Sequence, residues 1–470
     1  MYYTDTLFLL LFAGVWVITR LLHPWPAIKE WFLIFFSLFV IASWGTYDLT
    51  LFLVVLTVNF FIARAISRAG PNNSRRLLAA IITLDVATLA IFKYANFLGG
   101  TFGTLTGHVI PVFPLGIPLA ISFYIFHLIS YLADIHAGRV KLATFREYFF
   151  YLSFFPQVIA GPIVRAWQLV PQIGSRRWRR LDLPIGLHFF ITGFFLKSVV
   201  SNNIAGFDAK AIPEFQGGID SVWSGTADFP LSTADHWAVA FLYYCQIYSD
   251  FAGYSLMALG MSRLLGYRLP ANFRSPMRAA SFQEFWQRWH ITLSHWLRDY
   301  LYIPLGGGRA KPMRVTGNVM VTMLLGGLWH GAGWGFVIWG AMHGTGLVVE
   351  RMLGRRNLPA YTWSWAGWWL VTQTWVTLTW VFFRAPSLPQ AFAFIRDMFT
   401  LSPHPFHLAD QIAGLWICAL PVLLHQTAPL LIWKIGRRRL PLALGCMTAV
   451  LLVLNVVVIS PAKVFIYFKF

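Results

Sequence analysis

The chain has few charged residues and few cysteines. Only 12% of its 470 residues are charged, whereas 57% are hydrophobic. Soluble globular domains average about 25% charged residues, so this composition excludes an ordinary soluble protein and indicates a membrane protein. Cys245, Cys418 and Cys446 all lie in apolar segments without CxxC or Cys/His spacing. Neither a disulfide framework nor a zinc site is therefore predicted.

Acidic residues are scarcer than basic ones, with 18 Asp and Glu against 37 Lys and Arg, which gives a formal net charge of +19. The basic residues fall in short loops between apolar segments, as the positive-inside rule describes for cytoplasmic loops. The chain has no soluble basic module of the kind that carries nucleic acid. The charge therefore predicts the lipid bilayer as a partner and excludes nucleic acid.

Apolar runs recur from end to end, which favours a single membrane domain over residues 1–470. A transmembrane helix needs about 20 apolar residues. Spans are predicted near residues 6–22, 30–46, 49–67, 77–98, 109–133, 184–200, 234–262, 363–383, 409–433 and 440–460. The first run lacks a basic leader and a small-residue cleavage site, so it is interpreted as a retained helix rather than a signal peptide.

Two further apolar stretches, residues 148–164 and 282–308, both begin and end beside basic loops. A simple crossing would place their ends on opposite sides of the membrane, so both are predicted to be re-entrant or interfacial. Loops 99–108 and 201–233, which have almost no Lys or Arg, are predicted to face the periplasm. Irregular backbone at membrane depth must be buried in protein or line a cavity, so these elements predict an internal cavity.

The stretch MLLGGLWHGAGWGFVIWGAMHG, residues 323–344, carries two histidines among glycines and tryptophans. Because basic residues flank it at Arg314 and Arg351, residues 315–350 are predicted to form a hairpin that returns to the cytoplasmic face. A helix from Arg314 to His330 rises about 24 Å, less than the roughly 30 Å hydrocarbon core. Burial disfavours the imidazolium ion, so a neutral His330 could act as general base for an incoming hydroxyl.

The alternatives for the two histidines differ. His330 could simply donate a hydrogen bond to a helix carbonyl, but its depth and the glycine-rich turn that follows it favour a functional role. His343 lies on the returning limb, about 12 Å from the cytoplasmic side. It is interpreted as a helix-packing histidine.

A second polar cluster lies in RWHITLSHWLRDYLY, residues 288–302. On a continuous helix, His290, Ser294 and Arg298 would share one face. His290 is predicted to act in catalysis or to contact substrate, and Ser294 and Asp299 are weaker candidates for binding. Asp299 could instead pair with Arg298 or Arg288. No HExxH motif or carboxylate at ligand spacing accompanies the histidines, so no metal site is predicted.

Two more residues are weak binding candidates. The segment PLGGGRAK, residues 304–311, lacks the GxxxxGK[ST] spacing of a P-loop, but Arg309 and the glycine-rich backbone could meet phosphates of a cytoplasmic donor. Asp250 is an intramembrane carboxylate, which costs about 2.5–3.5 kcal/mol at a helix centre. It and Asp85 are therefore each expected to have a partner.

The segments FWQRWHITLSHWLRDYLYIPLGG, LLGGLWHGAGWGFVIWGAMHG, YSDFAGYSLMALG, IAGPIVR, WVFFRAPS and FIYFKF together resemble the membrane-bound O-acyltransferase (MBOAT) family. Within it, the chain is most similar to the membrane subunits of bacterial alginate O-acetyltransferases. The resemblance runs in matching order from FKYANF, residues 92–97, to the C-terminus, which makes residues 92–470 the family core. Residues 1–75 are less distinctive.

The resemblance implies an MBOAT fold, about 11 to 12 transmembrane helices with re-entrant helices around a central cavity open to both faces. It places the family's essential histidine, in its W-H-G motif, on His330 and a second polar position on His290. Trp329 of the same motif is a further candidate for substrate contact. His330 would be the base, while His290 would orient the acceptor or polarise the acyl carbonyl.

The implied reaction takes acetyl groups from a cytoplasmic donor, acetyl-CoA, with no bound cofactor. The implied partner is a periplasmic acetyltransferase of the SGNH-hydrolase type, and the location is the bacterial inner membrane. The first hypothesis is O-acetylation of a secreted exopolysaccharide such as alginate or cellulose. The alternatives are D-alanyl transfer from a carrier protein to teichoic acid and, in a different class, a proton-coupled transporter or channel.

Overall fold

The computed structural model describes most of the chain. The described residues are 3–114, 116–158, 161–174, 182–206, 218–225, 231–354, 362–402, 404, 419–427 and 440–458. Within these ranges every regular element is a helix. The all-α prediction is therefore confirmed.

The described residues form nineteen α-helices. They are α1 (Thr6–Leu21), α2 (Pro26–Ala42), α3 (Thr46–Arg68), α4 (Pro71–Thr106), α5 (Ile121–His136), α6 (Phe145–Ser153), α7 (Phe155–Val158), α8 (Ala166–Leu169), α9 (Asp182–Phe195), α10 (Asn202–Ala205), α11 (Gly218–Ser224), α12 (Thr233–Leu264), α13 (Phe282–Arg288), α14 (Ile291–Leu297), α15 (Pro312–His330), α16 (Trp334–Met352), α17 (Trp363–Arg384), α18 (Leu388–Phe399) and α19 (Leu440–Val458). Two π-helical segments, Leu196–Ser201 and Arg298–Tyr302, follow α9 and α14 directly.

Three helical segments of the described chain are long and apolar enough to cross a membrane, namely Thr46–Arg68, Pro71–Thr106 and Asp182–Ala205. Thr6–Leu21 and Ala443–Asn455 are shorter apolar helices. The total of 11 to 12 spans stays a prediction, and most of the predicted span 409–433 lies outside the described residues.

The predicted span at 109–133 begins too early. Residues 107–114 are not helical, and α5 starts only at Ile121. Pro111, Pro114 and Pro118 explain the difference, because proline lacks the backbone donor and disfavours helical geometry in the residue before it.

The described residues form two compact units, Met1–Leu187 with Ala258–Pro270 and His188–Met257 with Ala271–Phe470. In the first unit, long-range hydrogen bonds join the helices: the Tyr148 hydroxyl donates to the Leu56 carbonyl at 2.8 Å. Asp85 has the expected partner, because Asn59 donates to its carboxylate at 3.0 Å. The interpretation of residues 1–470 as one domain stays a prediction.

The two stretches predicted to be re-entrant or interfacial are broken into short helices. Residues 148–164 begin in α6, which ends at Ser153 before the four-residue α7. Residues 282–308 contain α13 and α14, followed by a π-helical segment and a glycine-rich turn.

In the second unit, α15 and α16 form an antiparallel hairpin whose backbones approach closely at glycines. A Cβ on Gly327 would lie 2.2 Å from the Phe336 carbonyl oxygen, and one on Gly340 would lie 2.4 Å from the Met323 carbonyl oxygen. Only glycine allows backbones to approach this closely. The hairpin predicted for residues 315–350 is thus confirmed.

Candidate active site

His330 is the last residue of α15, and α16 begins four residues later at Trp334. Gly331 and Gly333 make the turn in extended backbone conformation. The His330 side chain is buried, with 3% of its surface exposed. The sequence therefore placed this histidine correctly at the turn of the hairpin.

The helical spacing of His290, Ser294 and Arg298 predicts that they share one face of a continuous helix. The structure differs from this prediction. Helix α13 ends at Arg288, and His290 occupies the N-cap position of α14 with φ 40° and ψ 53°. This left-handed conformation costs a non-glycine residue about 1–2 kcal/mol, and such strain clusters at functional sites. His290 and Ser294 therefore do not share one face of a continuous helix.

The structure brings the two predicted histidines together. The ring centroids of His290 and His330 lie 6.4 Å apart, and Trp329 contacts both rings, at 5.9 Å and 5.0 Å. Trp339 and Phe383 pack edge-on against His330 at 5.0 Å and 5.4 Å. The two imidazoles and the Trp329 indole therefore form one contiguous group of packed rings.

Asn272, which no sequence pattern singled out, forms a hydrogen bond with the His290 ring. Its Oδ1 lies 3.1 Å from Nδ1 of His290 and accepts from the backbone N–H and the hydroxyl of Thr292 at 3.3 and 2.9 Å. Its Nδ2 donates to the Ser255 hydroxyl at 3.3 Å, and its carbonyl accepts from Ile291 at 2.9 Å. The four side chains of this network are buried.

A cavity of about 430 Å³ lies in the same unit, between α13, α14, α15 and α16. Trp286, Ser294, Arg298, Tyr302, Thr322 and Arg351 are among its lining residues. The Trp286 ring contacts Trp339 at 5.8 Å, and Trp339 contacts His330. One indole ring therefore separates the wall of this cavity, called here the Trp286 cavity, from His330.

The weaker candidates occupy different places. Ser294 lines the Trp286 cavity and donates to the carbonyls of Trp289 and His290. Asp299 forms the expected pair with Arg298, Nε to Oδ1 at 2.7 Å. Arg309 is exposed on a 3₁₀ turn and is not among the residues that line the Trp286 cavity.

Asp250 forms a buried ion pair with Lys197, and the Ser201 hydroxyl lies 3.4 Å from the same carboxylate oxygen. Both charged side chains are at most 2% exposed. Lys197 lies on the π-helical segment Leu196–Ser201, which places its ammonium opposite α12. The partner expected for Asp250 is confirmed.

His343, on α16, packs against α13 and α17, with its Nε2 3.1 Å from the Thr379 hydroxyl. Its ring contacts Trp286 at 5.1 Å and Trp339 at 4.6 Å. These contacts are those of a helix-packing residue, as the sequence indicated. Over the described ranges, no group of three or more His, Cys, Asp or Glu side chains could hold a metal ion.

Comparisons with known proteins agree on one family. The model of the membrane-bound O-acyltransferase family matches residues 36–371. A peptidoglycan O-acetyltransferase of Helicobacter pylori is 35% identical over 80% of this chain and 75% of its own length. A probable alginate O-acetylase of Azotobacter vinelandii is 35% identical over 84% and 76%. A teichoic acid D-alanyltransferase of Streptococcus thermophilus is 31% identical over 49% and 56%.

The matched range contains both histidines, the network around Asn272 and the Trp286 cavity. The individual roles of His330, His290, Ser294, Asp299, Arg309, Trp329 and Asp250 stay predictions. The family does settle the class of protein and of reaction, so the transporter or channel hypothesis loses its basis. The chain belongs to the membrane-bound O-acyltransferase family: it is a polytopic membrane protein and an acyltransferase.

Proposed function

We propose that this protein takes acetyl groups from cytoplasmic acetyl-CoA for O-acetylation of a polysaccharide outside the bacterial inner membrane. The observation that carries the proposal is the pair of buried imidazoles, His290 and His330, of which His330 lies one indole ring away from the Trp286 cavity. The names of the relatives from Helicobacter pylori and Azotobacter vinelandii support acetyl as the acyl group and a polysaccharide as the final acceptor.

The Trp286 cavity suits the donor side. At about 430 Å³ it lies within the 300–1,000 Å³ range of small-molecule sites. Arg298 and Arg351 line it, and guanidinium groups bind phosphate oxygens in pairs. The positive-inside rule places the basic residues around 309–314 and 351 on the cytoplasmic side, which is where acetyl-CoA would enter.

The chemistry follows from the two imidazoles. The acceptor hydroxyl oxygen attacks the thioester carbonyl carbon while its proton moves to the neutral His330. The carbon–sulfur bond then breaks, and the leaving thiolate takes that proton from the imidazolium. The products are an acetyl ester and the free thiol of CoA, and His330 is neutral again.

The acceptor is proposed to arrive from the periplasmic side. The sequence has no GxSxG elbow, and its recurring apolar runs predict no soluble domain that could hold a polymer. We therefore propose a periplasmic partner of the SGNH-hydrolase type that receives the acetyl group and passes it to an alginate-like or cellulose exopolysaccharide. D-alanyl transfer to teichoic acid is the second candidate, because the relative from Streptococcus thermophilus carries that name.

Labelled donor separates these possibilities. The purified full chain in detergent is incubated with radiolabelled acetyl-CoA, with and without the periplasmic partner, and in parallel with a D-alanyl carrier protein. We expect acetyl transfer to the partner and none of D-alanine. Transfer of D-alanine alone would replace the proposal with the second candidate. Absence of both transfers would overturn it.

A histidine variant tests the site. His330→Ala removes the base and should lower kcat by about 10²- to 10⁴-fold. His188→Gln is the matched control: His188 belongs to the same unit and pairs with Thr448 at 3.0 Å. Both variants should elute as folded monodisperse protein, and only the first should lose transfer. Near-native transfer by His330→Ala would remove His330 from the mechanism.

A further inference from the structure

The orientation of the Asn272 side-chain amide is fixed by the backbone N–H of Thr292, which can only donate a hydrogen bond. The backbone N–H of Thr292 lies 3.3 Å from the Asn272 side-chain oxygen, and a backbone N–H can only donate. The amide oxygen must therefore face Thr292, which leaves Nδ2 to donate to the Ser255 hydroxyl at 3.3 Å. The reverse orientation would place two donors against each other.

This orientation decides the tautomer of His290. Nδ1 of the imidazole lies 3.1 Å from the same amide oxygen, which has lone pairs and no proton to give. Nδ1 must therefore carry the hydrogen. In a neutral imidazole the other nitrogen then carries the lone pair, and Nε2 of His290 is buried without a hydrogen-bond partner among the described residues.

The backbone adds to the constraint. The left-handed conformation of His290, with φ 40°, places it at the N-cap of α14. The Asn272 carbonyl accepts from Ile291, and its side chain accepts twice from Thr292. Asn272 thus binds the residues on the C-terminal side of His290 as well as the ring itself. Loss of this amide would free both the ring and the turn.

The structure assigns to Asn272 the role of a positioning residue that fixes His290 as the Nδ1–H tautomer, so that Nε2 is a hydrogen-bond acceptor. This inference rests on the proposed function and sharpens it. A neutral His290 with this tautomer cannot donate to the acyl carbonyl oxygen, so it contacts the acceptor. The reacting hydroxyl gives its proton to His330, so the donor to His290 is another O–H or N–H group of the acceptor.

The tautomer is measured directly by ¹⁵N NMR on the full chain labelled with ¹⁵N-histidine, with His290→Gln to assign the signals. We expect a protonated Nδ1 and an unprotonated Nε2 for His290. In Asn272→Leu the two tautomers should both be present, whereas Asn272→Asp, whose carboxylate also accepts from Nδ1, should keep the native one. Asn455→Leu removes another buried asparagine of the same unit and should change nothing.

Kinetics provide the second readout. Asn272→Leu should lower kcat/KM for the acceptor by about 10²-fold and leave the KM for acetyl-CoA within about twofold, while Asn272→Asp restores most of the loss. A protonated Nε2 in the native protein, or an unchanged tautomer in Asn272→Leu, would overturn the inference. If Asn272→Leu does not fold, the native spectrum and Asn272→Asp still decide it. The spectra need no transfer activity, so failure of the proposed function is seen separately.

Discussion

The closest backbone approach in the α15–α16 hairpin lies one helical turn before His330. At Gly327, a Cβ would be 2.2 Å from the carbonyl oxygen of Phe336. Carbon–oxygen contacts between packed backbones are about 3.3 Å or longer, so Gly327→Ala leaves a shortfall of about 1 Å. Backbone atoms of a packed helix cannot rotate away as a flexible side chain can. The two helices must therefore separate by about 1 Å at this point.

Two effects should follow from that separation. Overpacking of this kind costs about 1–3 kcal/mol, against a gain of about 0.5–1 kcal/mol for Ala over Gly in a helix, so the variant should be less stable. The displacement also moves His330, and a misplacement of about 1 Å costs on the order of 10²-fold in rate. We expect kcat for acetyl transfer to fall much more than the unfolding temperature does.

The matched control lies on the same helix. A Cβ on Gly317 would meet nothing within 4 Å, so Gly317→Ala should be neutral or slightly stabilising. Both variants are measured by thermal unfolding in detergent and by transfer from labelled acetyl-CoA. Equal activity of Gly327→Ala and Gly317→Ala would refute the reasoning, because it would mean that the hairpin backbones are not in contact at Gly327.

Three further outcomes follow from contacts in the second unit. Asp250→Asn leaves the Lys197 ammonium buried without a countercharge and should lower the free energy of unfolding by about 3–5 kcal/mol, measured by thermal unfolding. The double variant Asp250→Asn with Lys197→Met should recover part of this loss. If the single and double variants are equally unstable, the ion pair is contradicted. His343→Leu loses the hydrogen bond to Thr379, worth about 1 kcal/mol, and should lower the unfolding temperature while kcat stays within a few-fold; a loss as large as that of His330→Ala would make it catalytic. Trp286→Ala should raise the KM for acetyl-CoA by about tenfold, the equivalent of 1.4 kcal/mol, and an unchanged KM would separate the cavity from the donor.

Local patterns in the sequence were sufficient to predict the hairpin and the position of His330 at its turn. The basic residues on both sides of residues 315–350 predicted a return to the same face, and the glycines after His330 predicted a tight turn. The return and the turn both depend on residues that are neighbours along the chain, so they can be predicted without knowing which distant residues they contact. The same holds for His343, whose place on the returning limb already indicated a packing role.

Where local patterns predicted the wrong structure, distant or intervening residues were responsible. The segment around His290 has helical periodicity, but the helix is interrupted at 289–290. There Asn272, 18 residues earlier in the chain, forms hydrogen bonds with His290 and Thr292. The span predicted at 109–133 rested on apolar content alone, and the prolines within it delay α5 to Ile121.

The sequence by itself determined the class of protein, its helical nature and the position of His330 in a hairpin, because hydropathy, charge placement and glycine spacing are properties of short stretches. Only the tertiary structure decided that His290 lies beside His330, that Lys197 is the partner of Asp250, and that Asn272 selects the tautomer of His290. Each of these depends on side chains that are far apart in the chain and meet only when helices pack. Hydrogen bonds at a buried site are directional and depend on distance, and no local pattern encodes either.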